Sequence, residues 1–297
     1  MKNLMLLSFM ALLSITSVAQ PTNPQLLGVC SLEELKKEPY AEWFITNYTA
    51  YVPNESVVKQ LKNMRLKDYS VTIFFATWCG DSKREVPRFI KLLDVLGFQP
   101  SALNLIAVDS ADSLYKQSPG HEERGKHIYK VPTFIISKKG NEVNRIVEIP
   151  ALSLERDLLA ILTDNKEYRP NYPSYVYLSK WFDEGILTDD NVSLPGLANQ
   201  LRGLTRSANE LNTFGRTLLS SNPDHRKAVL AVYQINCYLY PDSWQTHSRF
   251  AELLLNAGEY LRAEEVLHHA IEVNNDPENV EQLLKLYNAA RDKTHTH

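Results

Sequence analysis

Cysteine is scarce in this chain: its 297 residues contain only Cys30, Cys79 and Cys237. So small and odd a number excludes a fold held together by a framework of disulfides. Neither sign of charge dominates, because 32 Lys and Arg face 35 Asp and Glu, for a formal net charge of −3. That balance argues against a general binder of nucleic acids or of anionic membranes. The length is sufficient for two domains, each with its own core.

Long apolar runs are also missing, except at the N-terminus. Lys2 precedes an apolar stretch over residues 4–18, and small residues follow it in the pattern of a signal-peptide cleavage site. We therefore predict a signal peptide over residues 1–19, cleaved after Ala19, and an exported bacterial protein, periplasmic or secreted, with no membrane association after cleavage. Two alternatives are an uncleaved membrane anchor and a lipoprotein modified at Cys30.

The most informative stretch that is present reads FFATWCGDSKREVPRF, over residues 74–89. An apolar run typical of a strand leads to Trp78 and Cys79 at the start of a segment with helical character. A cysteine at a helix N-terminus faces unpaired backbone N–H groups and the positive end of the helix dipole, and both favour the thiolate. Because the thiolate is the nucleophile in disulfide exchange, we predict that Cys79 is reactive.

This stretch resembles the active site of the thioredoxin family, whose W-C-G-x-C sequence lies at a strand-to-helix turn. Pro87 stands where that family has a helix-kinking proline, and residues 131–134, VPTF, resemble its cis-proline loop. Lys139-Gly140-Asn141 resembles the turn between its last two strands. The resemblance covers roughly residues 65 to 162. It implies a thioredoxin-like α/β fold, in which helices flank a mixed sheet.

The resemblance also assigns roles to individual residues. It implies that Cys79 is the nucleophile and that Trp78 forms a wall of the site. Gly80 and Pro87 would be structural. The loop Val131-Pro132-Thr133 would be the edge that binds an extended substrate.

Three departures from the family pattern bear on the chemistry. Ser82 stands three residues after Cys79, where the family has its resolving cysteine, and we predict that its hydroxyl orients the thiolate. Ile73 stands where many thioredoxins carry a buried carboxylate. The chain between Cys79 and Pro132 is longer than in a minimal thioredoxin, which predicts an insertion over about residues 110–130. We expect a solvated loop near the cis-proline, with no metal site, because its histidines and acids lack clean ligand spacing.

The pattern divides the chain into four parts after the signal peptide. They are a helical extension over 20–64, a thioredoxin-like domain over 65–163, a polar linker over 164–176 and a helical domain over 177–297. Within the first two parts the predicted helices cover 31–51 with a break at Pro39, 55–64, 79–96 and 152–163, and the predicted strands cover 70–76, 103–108, 133–137 and 142–148.

A repeat of about 35 residues begins near Leu211, and its second copy spans residues 243–278. That copy resembles a tetratricopeptide repeat in its small residues and its proline, which are Ala251, Gly258, Ala263, Ala270 and Pro277. Small residues let two antiparallel helices approach closely. A capping helix is predicted over 278–291. The resemblance implies a groove for a peptide or partner protein, and the alternative is a helical buttress without a ligand.

These observations favour thiol–disulfide exchange on exported proteins through Cys79 alone, resolved by an external thiol or by a distant Cys30 or Cys237. The alternative is a non-catalytic scaffold that binds polypeptide, so the sequence leaves open whether the protein is an enzyme. Cys30 and Cys237 are otherwise a disulfide pair or two buried apolar residues. A peroxidase would need a polar residue placed to activate peroxide before Cys79, and Ala76, Thr77 and Trp78 do not supply it. We expect no cofactor and no nucleic-acid partner.

Overall fold

The computed structural model describes residues 24–295. The predicted signal peptide and its cleavage site after Ala19 lie outside the described residues. Over the range that is described, no helix is both long enough and apolar enough to cross a bilayer.

A five-stranded mixed sheet lies at the centre of the first half of the chain. Its strands are β1 (Gly28–Cys30), β2 (Tyr69–Phe75), β3 (Leu103–Ala107), β4 (Thr133–Lys138) and β5 (Asn141–Val147). They lie in the order β1-β3-β2-β4-β5, and β2 and β3 run parallel while the other neighbours are antiparallel. The predicted α/β class is confirmed, and the four predicted strands agree with β2 to β5 to within one residue.

Strand β1 is the element that the sequence did not predict. It pairs antiparallel with β3, so that Cys30 lies opposite Leu105. Three residues are too few to show the alternation by which a strand is recognised. The segment predicted as a helical extension therefore also supplies one edge of the sheet.

Over residues 24–162, five α-helices accompany the sheet. They are α1 (Leu32–Leu35), α2 (Ala41–Ala50), α3 (Glu55–Lys62), α4 (Gly80–Leu96) and α5 (Leu154–Leu162). The capping box predicted at the start of α1 is present, because Ser31 and Glu34 bond each other's backbone N–H groups. The break predicted at Pro39 separates α1 from α2.

The two faces of the sheet are covered differently. Val71, Ile73 and Phe75 of β2 pack with α2 to α5 in one core. Phe74, on the opposite face, belongs to a second cluster that also contains Ile128 and residues of β3 and β4. The sequence predicts helices on both faces, whereas no residue of this second cluster belongs to a helix. Irregular chain of the insertion takes part there instead, because it supplies apolar side chains of its own.

The helical extension is tied to this core by hydrogen bonds from tyrosines. Tyr48 donates its hydroxyl to Asp94 on α4 at 2.7 Å. Glu155 of α5 accepts from the Tyr51 hydroxyl at 2.6 Å and from the Asn54 backbone N–H at 2.9 Å. Burial opposes ionisation of Glu155, but these bonds outweigh it and lower its pKa.

The second half of the chain is entirely helical over its described part. It contains α6 (Pro173–Asp183), α7 (Leu194–Leu201), α8 (Asn209–Ser221), α9 (Arg226–Leu239), α10 (Trp244–Ala257), α11 (Tyr260–Glu272) and α12 (Val280–Thr294). Consecutive helices from α8 to α12 pack against one another around a core separate from those of the sheet. An α/β region followed by helices is thus the architecture of the molecule.

Small residues allow the close approach of these helices. Ala251, Ala263 and Ala270 are completely buried between α10, α11 and their neighbours. A Cβ atom added to Gly215 of α8 would lie 2.4 Å from the Tyr233 ring of α9. Gly258 ends α10 in the left-handed conformation, at φ 78°.

The insertion joins the two halves, and the prediction that it is a solvated loop is wrong at Lys116–Ser118 and at Ile128–Tyr129, which are buried. The Gln117 amide donates to the Ser220 carbonyl and hydroxyl on α8, each at 2.7 Å. Tyr129 lies in the helical core, with its ring 4.3 Å from that of Phe214 between centroids. The insertion is therefore part of the junction between the two halves.

The predicted linker also packs closely. The Tyr168 side chain belongs to the core of the sheet and donates its hydroxyl to the Arg145 carbonyl at 3.1 Å. The Asn171 amide donates to the Ile149 carbonyl at 2.7 Å. Helix α6 begins within this segment, at Pro173.

Candidate active site at Cys79

Cys79 is the residue at which strand β2 passes into helix α4. It occupies the N-cap position, with extended backbone angles of φ −91° and ψ 125°, and its side chain does not cap the helix. The thiol is partly exposed and free. It donates a hydrogen bond to the Val131 carbonyl at 3.2 Å. The predicted nucleophile and the predicted substrate-binding loop are thus in contact.

Trp78 lies between the thiol and the insertion. Its indole N–H donates to the Val108 carbonyl at 3.0 Å, which fixes the ring at the end of β3. The ring of Tyr115 stacks on it at 6.2 Å between centroids. The guanidinium of Arg216, on α8, lies 3.7 Å from the centre of the Tyr115 ring. The helical region therefore contributes a charged side chain to the surroundings of this ring.

All three side chains of the loop Val131-Pro132-Thr133 are buried. Its Val131–Pro132 peptide bond is cis, as the resemblance implies. The Pro132 carbonyl accepts the backbone N–H of Glu148 at 2.7 Å, and the Thr133 hydroxyl donates to the Lys130 carbonyl at 2.7 Å. Backbone rather than side chain would meet a substrate here, and this docking role stays a prediction.

Ser82 is buried inside the first turn of α4. Its hydroxyl oxygen accepts the backbone N–H of Ala76 at 3.2 Å, a bond that ties the end of β2 to the helix. Its role in orienting the thiolate stays a prediction. Ile73 is completely buried among the apolar side chains below α4.

Gly80 and Pro87 were predicted as structural residues of α4. A Cβ atom added to Gly80 would meet no atom within 4 Å, so open space lies beside the first residue of the helix. Pro87 lies inside the helix and is buried.

The other two cysteines lie in cores that differ from the surroundings of Cys79. Cys30 packs against the helix-covered face of the sheet, whereas Cys79 packs against the opposite face. Cys237 is buried in the helical core. Burial raises the pKa of both thiols to about 12, and Glu34 adds to the effect at Cys30. All three cysteines are free; Cys237 is buried, as its interpretation as a buried apolar residue requires, whereas Cys30 is only half-buried.

A buried lysine of the insertion, Lys116, contributes a titratable group near the site. The Lys116 side chain is 3 % exposed, and its ammonium donates to the Tyr129 carbonyl at 2.5 Å. Burial lowers the pKa of Lys116 to about 7. The nearby Lys130 lowers it further, while the negative charges of Glu148 and the Cys79 thiolate act in the opposite direction.

Sequence analysis missed Tyr115, Lys116 and Arg216. The first two lie in an irregular segment without periodicity, and positively charged or aromatic loop residues are common. Arg216 lies 137 residues after Cys79, and no spacing links the two. The one sequence feature that placed this segment near the site was its position just before the cis-proline loop.

Among the residues that the structure covers, no group of three His, Cys, Asp or Glu side chains is placed to hold a metal ion. Comparison of the chain with protein-family models, with curated proteins and with solved structures finds no match. The function is therefore inferred from the residues of the site.

Proposed function

We propose that this protein is an exported, thioredoxin-like thiol–disulfide exchange protein that uses Cys79 as its sole nucleophile, and that its helical region is tetratricopeptide-like. The observation that carries the proposal is the position of the Cys79 thiol. It is free and partly exposed at the N-terminus of α4, and it contacts the Val131 carbonyl beside Pro132. The N-terminus of a helix is a general location of reactive cysteines in proteins.

The exchange needs a second thiol from outside the site. The Cys79 thiolate attacks one sulfur of a substrate disulfide, forms a mixed disulfide and releases the other sulfur as a thiolate. An external thiol then attacks the mixed disulfide and restores Cys79. Ser82 cannot resolve the intermediate because it has no sulfur. Cys237 is buried in the helical core, and Cys30 packs, half-buried, against the core on the opposite face of the sheet.

Trp78 and the backbone of residues 131–133 would hold the substrate chain beside the thiol. The substrates would be exported proteins that carry accessible thiols or disulfides. The open space at Gly80 supports an approach from solvent, since a side chain added there would meet nothing.

The test is glutathione-dependent reduction of a disulfide-linked peptide, with Cys79→Ala and Cys30→Ala as matched variants. We expect Cys79→Ala to lose all turnover and the mixed disulfide with the peptide, and Cys30→Ala to retain both. Equal turnover in Cys79→Ala and the unaltered protein, or none in any of them, would contradict the proposal.

One observation favours the scaffold as a second candidate. A cavity of about 850 Å³ lies between the insertion and helices α8 to α10, and Tyr115, Arg216 and Arg249 are among its lining residues. Such a cavity is large enough to bind part of a peptide. A scaffold would bind the same peptide with unchanged affinity in Cys79→Ala and would turn over no disulfide.

A further inference from the structure

Lys116 is a buried cation without a carboxylate partner. Within residues 24–295, its ammonium contacts the Tyr129 carbonyl at 2.5 Å and lies 4.5 Å from the centre of the Tyr115 ring. A buried ammonium that lacks a counter-ion is unfavourable, because it has lost its hydration without gaining an opposite charge. Burial accordingly lowers the pKa of Lys116 to about 7, so the side chain can exist both as an ammonium and as a neutral amine near neutral pH.

Lys116 and Cys79 are held by the same short segment. The lysine ammonium binds the carbonyl of Tyr129, and the cysteine thiol binds the carbonyl of Val131, two residues farther along. A second connection runs through aromatic rings, because Tyr115 lies beneath the ammonium and stacks on Trp78, the neighbour of Cys79. The two groups consequently share one wall of the site.

The charges around Lys116 leave the thiolate as its available anion. Lys130, just before β4, and Arg216, on α8, both oppose a positive charge at this place. Glu148, just after β5, favours it, but this carboxylate is already paired with Lys130 at 3.2 Å and accepts the Tyr172 hydroxyl. The hydroxyls of Tyr115 and Tyr129 keep their protons at neutral pH, since burial raises the pKa of both. The remaining favourable charge is that of Cys79.

We propose that the Lys116 ammonium is the counter-ion of the Cys79 thiolate, and that Lys116 takes up and releases the proton which each half of the disulfide exchange moves. This inference rests on the proposed function and extends it.

The proton and the charges balance in both half-reactions. When the Cys79 thiolate attacks a substrate disulfide, the sulfur–sulfur bond breaks and the leaving sulfur departs as a thiolate. Lys116 loses its counter-ion at that moment and gives one proton to the leaving sulfur, so that a neutral amine and a thiol result. In the return step the amine takes the proton of the incoming external thiol. That thiolate attacks the mixed disulfide, and the Cys79 thiolate and the Lys116 ammonium are restored.

The first experiment measures the alkylation rate of Cys79 against pH in the full protein, without any substrate disulfide. We expect Lys116→Met to slow alkylation at pH 7 by about tenfold, the effect of displacing the profile by one pH unit. Lys126→Met is the matched control, because Lys126 is an exposed lysine of the same insertion. Its rate should change by less than about twofold, since exposed charges are screened. A superimposable profile for Lys116→Met would overturn the inference.

The second experiment uses the reciprocal effect, which thermodynamic linkage requires to be equal in size. The pH titration of Lys116 is followed by NMR of protein labelled with 13C at the lysine ε-carbon. In Cys79→Ala we expect Lys116 to lose its proton at lower pH than in the unaltered protein, because the thiolate is gone. An unchanged titration would contradict the coupling even where Lys116→Met fails to fold.

These readouts separate the two proposals. A shifted alkylation profile in a protein that turns over no disulfide would retain the charge pair and remove the exchange function. Normal turnover with unshifted profiles would retain the exchange function and remove the role of Lys116.

Discussion

The α/β region and the helical region both bury large apolar side chains, but only the helical core adds a set of small ones between its elements. The sheet is packed with large residues, and Phe74, Phe75 and Phe134 are completely buried on its two faces. The helical region buries large residues such as Phe214 and also small ones, such as Ala251 and Gly215, which let neighbouring helices approach. The chemistry-bearing side chains lie in neither interior. They lie at the boundary, where strand ends and the insertion meet α8.

The two halves of the molecule make different contributions to the site. The sheet places Cys79 and Trp78 at the ends of strands, while the helical core holds Tyr129 and thereby the insertion. A loop that is anchored on both sides can keep a lysine buried, because the cost of its desolvation is opposed by the contacts of its neighbours. The helical region is thus a structural part of the site whether or not it binds a partner.

The largest expected effect concerns the three thiols. In the native protein at pH 7.5 we expect Cys30 and Cys237 to be alkylated at least about 1000-fold more slowly than an ordinary exposed thiol, because burial raises their pKa values to about 12. Cys79 should account for the one rapidly labelled site, identified by mass spectrometry of digested protein. Unfolding in denaturant should make all three react. Rapid labelling of Cys237 in the native state would show that the helical core is open.

The next effect tests the anchor between the halves. Tyr129→Ala removes a ring that packs against Phe214 and Tyr175, and we expect it to lower the free energy of unfolding by about 3–5 kcal/mol. Tyr129→Phe is the control, since it keeps the ring and loses only hydroxyl contacts, at a cost of about 1 kcal/mol. Chemical denaturation followed by tryptophan fluorescence measures both. Equal stability of Tyr129→Ala and the unaltered protein would mean that the insertion is not anchored there.

A pair of glycine substitutions compares the packing of the two regions directly. Gly215→Ala should destabilise the protein by about 1–3 kcal/mol, because the new methyl group meets the Tyr233 ring at 2.4 Å. Gly80→Ala should leave stability unchanged or raise it by up to about 1 kcal/mol, since the methyl group has open space. Both changes in the free energy of unfolding are obtained from the denaturation midpoints of the two variants. The variants are comparable because each replaces a glycine by alanine. The comparison fails if Gly80→Ala is the more damaging of the two.

The smallest effect, counted per pH unit, is a pH dependence of stability. The pKa of Lys116 is lowered to about 7 in the folded protein, so between pH 7 and about 10 the unfolded chain binds one more proton. The stabilisation from this group is complete above the unfolded pKa and is lost as the pH falls toward 7. The free energy of unfolding should rise with pH by about 1 kcal/mol per unit more in the unaltered protein than in Lys116→Met. Lys126→Met should keep the full slope, and a slope that survives in Lys116→Met would contradict the assignment.

Much of the fold could be predicted because its signals are local. The strands β2 to β5 carry apolar runs, and α4 begins after Trp78-Cys79 where the helical pattern starts. Strand β1 could not be predicted, since it exists only through its pairing with β3. The same holds for the insertion. Three of its buried residues, Lys116, Gln117 and Ser118, are polar or charged, and Gln117 bonds to α8, about 100 residues farther along the chain.

The candidate site, like the fold, could be predicted only in part. The contact between Cys79 and Val131 could be anticipated from two motifs that resemble one family. The stack of Trp78, Tyr115 and Arg216 could not, because its three members come from three segments without a shared pattern. Ser82 was predicted as a partner of the thiol, and the structure adds a bond to the Ala76 backbone that no sequence pattern predicts.

The sequence by itself determined the α/β class, the start of α4 at a lone cysteine and the absence of a second cysteine three residues later. These follow from residue types and from periodicity along the chain, which neighbouring residues encode. Only the tertiary structure decided which core each cysteine occupies. It also decided that the insertion packs against the helical region and that Lys116 is buried beside the site. Burial and electrostatic coupling depend on distances through space, and such distances arise only when remote segments pack together.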